Sequence, residues 1–147
     1  MSNLSNNYIG GDWLKGVSSI SNINPSNTND VIGEFAQASN SQLEDALNSA
    51  EVAQRQWAAT GLEQRQAVLM KIGEEMMARS AELGELLSRE EGKPVAEGKG
   101  EVYRAGQFFT YYAAEVLRQG GDTADSVRPN IEIDVRREPM GTVAIIS

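Results

Sequence analysis

A chain of 147 residues with 40% apolar side chains is long enough for one compact domain with a buried core. Its 13 basic and 21 acidic residues leave a net charge of -8, which argues against nucleic acid or an anionic membrane as the main partner and otherwise suits a solvated surface. With no Cys and no His, the sequence offers no disulfide, no thiolate metal site, no thiol nucleophile and no serine-histidine triad.

The opening, Met1-Ser2-Asn3-Leu4-Ser5-Asn6-Asn7, has neither a basic stretch nor an apolar one, and no later segment approaches the roughly 18 apolar residues of a membrane span. A cytoplasmic protein with no membrane partner is the expectation. Tyr8-Ile9-Gly10-Gly11-Asp12-Trp13-Leu14 puts apolar and aromatic residues on both sides of a Gly-Gly-Asp turn, the pattern of a short hairpin. Residues 20–38 read as strand, turn, strand, because 24–30 is dense in turn formers and Val31-Ile32-Gly33-Glu34-Phe35-Ala36 is extended in type.

Helices follow. Ser41 and Glu44 form the signature of a capping box, after which Leu43, Ala46, Leu47, Ala50, Ala53 and Trp57 share one face. Thr60 and Glu63 repeat that signature before a second helix carrying Leu69, Ile72 and Met76. A turn-rich stretch with Leu83, Leu86 and Leu87 stops at Gly92-Lys93-Pro94, and another helical pattern runs from Val102 through Phe109, Tyr112 and Val116 to Gly120-Gly121. The apolar stripes are those of a packed core.

Beyond the helices the period changes to two. Ile131, Ile133 and Val135 alternate with Glu132, Asp134 and Arg136, a strand with one wet face, and Glu138-Pro139-Met140-Gly141 reads as a turn. Thr142-Val143-Ala144-Ile145-Ile146-Ser147 is nearly all apolar, the pattern of a strand buried on both faces of a parallel sheet. Such a strand needs neighbours and crossover helices, so a truncated chain is expected.

The tempting motifs fail on detail. Gly98-Lys99 lacks the upstream Gly and following Ser or Thr of a phosphate loop. Gly98 and Gly100 could open a dinucleotide fingerprint, but its third position falls on Tyr103 and the preceding segment reads as helix. Glu74-Glu75 and Glu90-Glu91 are helical neighbours pointing apart, unsuited to paired acid-base work. Phe108-Phe109 and Tyr111-Tyr112 lack the basic interleaving of a base-stacking platform and suit packing.

Taken as a series, the segments resemble the aldehyde dehydrogenase superfamily over the whole length. The resemblance rests on Tyr8-Ile9-Gly10-Gly11-Asp12-Trp13, Asn24-Pro25 before Val31-Ile32-Gly33, Trp57, Glu63-Gln64-Arg65, Glu90-Glu91-Gly92-Lys93-Pro94, Tyr111-Tyr112-Ala113 and Arg137-Glu138-Pro139-Met140-Gly141, in the family's order and spacing. The resemblance implies an α/β fold, here the helix-rich N-terminal part with short strands and the first Rossmann-like strand at the C-terminus. Residues 1–147 would be an N-terminal fragment, with 41–121 as helices flanking the cofactor domain, 131–137 as an oligomerisation-sheet strand and 142–147 as the first nucleotide-binding strand.

The implied activity is oxidation of a small aldehyde to a carboxylate with NAD or NADP, by a homo-oligomer. A cysteine thiolate would attack the aldehyde, hydride would pass to the cofactor and water would release the thioester. The family's Cys nucleophile, Glu base and oxyanion-holding Asn have no match in these residues, so no catalytic residue is assigned. Ile145, Ile146 and Ser147 are carried over as cofactor-binding, at the start of the nicotinamide cleft; no metal ligand is assigned. The wording of residues 30–36 is similar to enzymes for 2-oxoglutarate semialdehyde. The competing reading is a non-catalytic interaction or structural module, associating with a full-length relative through 131–137 and the helical faces; the lack of His and Cys suits it.

Overall fold

The computed structural model describes residues 4–146. Seven short strands and four helices follow one another as β1 (Leu4–Ser5), β2 (Asn7–Ile9), β3 (Asp12–Leu14), β4 (Ser18–Ile23), β5 (Val31–Gln37), α1 (Asn40–Ala59), α2 (Leu62–Ala78), α3 (Ser80–Glu91), α4 (Val95–Val116), β6 (Asp122–Asp125) and β7 (Glu132–Val135). This is the expected α/β class, with the helices forming the bulk of it.

The Gly-Gly hairpin is present. β2 and β3 pair antiparallel, with Ile9 opposite Asp12 and Tyr8 opposite Trp13, whose rings lie 4.9 Å apart. Gly10 and Gly11 take φ of 64° and 101°, left-handed values that a tight hairpin turn demands and that glycine adopts without strain. The strand-turn-strand of 20–38 is also present, as β4 antiparallel to β5. β1, which the sequence reading lacks, adds to β5 in parallel to complete a three-stranded sheet ordered β1-β5-β4.

Two of the expected caps are moved. The N-cap of α1 is Ser39, two residues before Ser41: its Oγ accepts from the Gln42 amide at 3.1 Å, and the Gln42 side chain accepts from the Ser39 amide at 3.1 Å. Gln42 thus fills the role expected of Glu44, because either side chain can close the reciprocal pair. Thr60 does not cap α2. Its hydroxyl turns back onto the carbonyl of Trp57 and closes α1, leaving Gly61 as the N-cap of α2 without a side-chain bond.

The core lies where α4 crosses α2 and α3, and small residues set those crossings. Gly98, Val102, Gly106 and Ala113 are the buried positions of α4, spaced along one face. A Cβ on Gly106 would stand 2.6 Å from Met77 Cγ and 2.8 Å from the Gly73 carbonyl oxygen. One on Gly98 would stand 2.4 Å from the Gly84 carbonyl oxygen. These approaches let the backbones touch, and only glycine permits them. Ser88 is buried there as well, its hydroxyl donating to the Gly84 carbonyl at 2.8 Å.

The turn-rich stretch with Leu83, Leu86 and Leu87 is the helix α3, ended at the expected stop by Gly92 at φ 72°, where the amides of Gly92 and Lys93 both reach the Ser88 carbonyl. α4 stops at Val116, before Gly120-Gly121. The apolar face of α1 is not buried: Leu43 is 54% and Trp57 42% exposed. Sequence periodicity finds such a face but does not say that another element covers it.

The C-terminal part departs furthest from expectation. β7 forms at Glu132–Val135 but pairs with β6, a strand of Asp-Thr-Ala-Asp with no apolar alternation to announce it. Ile133 and Val135 remain about half exposed, so the hairpin has no dry face among the described residues. Residues 138–141 form no hydrogen-bonded turn; only the φ of 104° at Gly141 marks a change of direction. Residues 142–146 are not a strand. A strand exists by its ladder of backbone bonds, and no described residue lies alongside to supply one.

Candidate functional site

Three chain segments converge at one end of the helical layer. Trp57 comes from the last turn of α1, Arg65 from the first turns of α2, and Gln119 from just beyond α4. Arg137, Glu138 and Pro139 run across them, and together these residues line a cleft of about 450 Å³. A second, open and largely apolar depression beside it is formed by Ala50, Ala53, Trp57 and Thr60 with Gly141 and Thr142. The segment that leads toward residues 142–146 therefore borders two depressions at the ends of α1 and α2.

Ile145 and Ile146, expected to border a cofactor, lie beyond this seat and are 89% and 96% exposed. They line neither depression. Expectation placed them in a sheet; without strand neighbours their side chains meet solvent. Ser147 lies outside the described residues. The side chains of Ile145 and Ile146 are apolar and carry no hydrogen-bond donor.

The shifted titrations belong to structural ion pairs instead of a reaction centre. The guanidinium of Arg89, donating two hydrogen bonds, and the amide of Asn24 hold the Asp30 carboxyl down to about 2. Arg79 likewise holds Glu82 below the ordinary carboxylate range, and the carboxylates of Glu101 and Glu91 raise Lys93. Glu90-Glu91-Gly92-Lys93-Pro94 is thereby explained as a joint. Gly92 ends α3, Lys93 bridges Glu91 and Glu101, Pro94 caps α4, and Asn22 donates to Glu90 from β4 at 2.7 Å. Among the described residues no group of three or more acidic side chains could hold a metal ion, and no helix is long and apolar enough to cross a membrane.

The cleft of Trp57, Arg65, Gln119 and Arg137 was not legible in advance as a site. Trp57, Glu63-Gln64-Arg65 and Arg137-Glu138-Pro139 stand out as motifs, but only the fold shows that motifs 80 residues apart in sequence numbering, Trp57 and Arg137, share one cavity.

Comparison with known proteins places these features. A family model described as the aldehyde dehydrogenase family matches residues 13–147. An alpha-ketoglutarate semialdehyde dehydrogenase of Haloferax volcanii is 30% identical over 100% of this chain and 31% of its own length. The crystal structure of succinate-semialdehyde dehydrogenase from Burkholderia pseudomallei superposes with a TM-score of 0.85 and 29% identity, covering 95% of this chain and 29% of that one. A NAD-dependent benzaldehyde dehydrogenase from Corynebacterium glutamicum gives a TM-score of 0.79 and 31% identity over 90% of this chain and 29% of that one. The chain thus spans just under a third of the length of the relatives it matches, and its fold is that of their N-terminal part.

Proposed function

Since the chain belongs to the aldehyde dehydrogenase family, we propose that it serves as the N-terminal part of an enzyme that oxidises an aldehyde to a carboxylate with NAD or NADP. The observation that carries this reading is the continuity of the match: one family covers residues 13–147, and the superposition extends over 95% of the chain. A module of another kind would share a patch, not the order of every element. The nicotinamide cofactor supplies the hydride acceptor when bound.

Within that reading, this chain provides scaffold. It has no Cys, so a thiolate that attacks the aldehyde must come from residues outside this sequence. Ile145 and Ile146 supply an apolar wall at the start of the nicotinamide cleft, with Ser147 next to them. Pro139, Gly141 and Thr142, which border the depressions beside Trp57 and Thr60, lead into that wall. The β6–β7 hairpin, with Ile131, Ile133 and Val135 about half exposed, joins copies of the protein into a homo-oligomer. The substrate is a short aldehyde ending in a carboxylate, as the names of the semialdehyde relatives suggest.

The test is reduction of NAD and of NADP by the native protein that carries this chain, offered succinate semialdehyde, 2-oxoglutarate semialdehyde and benzaldehyde in turn. Aldehyde-dependent reduction with preference for the two semialdehydes is expected. A folded protein that reduces neither cofactor with any aldehyde overturns the proposal.

A further inference from the structure

We draw no further inference here: the strongest candidate, the exposed aromatic face of α4 where Arg104 lies over the Phe108 ring on the same helix as the Tyr111–Tyr112 pair, carries nothing because the chain spans just under a third of its relatives' length and nothing in the structure shows what covers that face.

Discussion

Arg89 and Asp30, 59 positions apart in the chain, meet as a two-pronged pair, with Nε at 2.9 Å from one carboxylate oxygen and Nη2 at 2.6 Å from the other. The pair fastens the end of the β4–β5 loop to the last turn of α3. Beside it Ser26 donates to the Gly92 carbonyl at 2.6 Å and Asn22 to Glu90. Removing either partner of the fork should lower the melting temperature by a few degrees, and the Asp30→Asn, Arg89→Gln double variant should lose little more than the worse single one. Additive losses in that cycle, read by thermal unfolding, would show that the two residues act separately.

The same pair sets a pH dependence. Asp30 is held down to about 2 from an ordinary value of 3.8, mainly by the Arg89 hydrogen bonds and then by Asn24. A lowered carboxylate contributes stability that is complete above its unfolded value and is lost as pH falls through the folded one. Stability should therefore decline between about pH 4 and pH 2 with a component that Asp30→Asn removes. Denaturant unfolding at a series of pH values measures it; an identical decline in wild type and variant would contradict the assignment.

Gly100 and Gly106 share one helix and should answer oppositely to alanine. Nothing lies within 4 Å of a Cβ on Gly100, whereas one on Gly106 would stand 2.6 Å from Met77 Cγ and 2.8 Å from the Gly73 carbonyl oxygen. Gly100→Ala should stabilise by about 0.5 to 1 kcal/mol through helix propensity. Gly106→Ala should lose about 1 to 3 kcal/mol to overpacking, beyond what propensity restores. Chemical denaturation of both variants checks the sign; two stabilising substitutions would mean that the α2–α4 crossing is looser than described.

The start of α1 offers a test of which serine caps it. Ser39 accepts from the Gln42 amide, while Ser41 touches only the Ser39 hydroxyl, at 3.0 Å. Ser39→Ala should cost about 1 kcal/mol and Ser41→Ala little, measured as the shift in unfolding midpoint. The reverse ranking would restore the Ser41 cap.

That ranking also marks how far the sequence could be read. The Gly10-Gly11 hairpin was legible because both positions need positive φ and glycine is the residue that tolerates it. Helix stripes were legible by spacing, but the cap at Ser39 was not: Ser39-Asn40-Ser41-Gln42 and Ser41-Gln42-Leu43-Glu44 satisfy the same local rule. β6 carries no alternation and is made by its partner. The apolar run 142–146 carries the pattern of a buried strand, yet pattern alone cannot pair a backbone that has no neighbour alongside. The cleft at Trp57 and Arg137 is invisible for a related reason, since proximity between distant motifs is a property of the fold.

In the role proposed for this aldehyde dehydrogenase family chain, residues 142–146 form the first edge of the nicotinamide site. Amide hydrogen exchange of the native protein, followed with and without saturating NAD or NADP, tests it directly. Cofactor should slow exchange in residues 142–146, around Ile145 and Ile146, and leave the β6–β7 hairpin unchanged. Binding of cofactor with no added protection anywhere in 142–146 would contradict the claim.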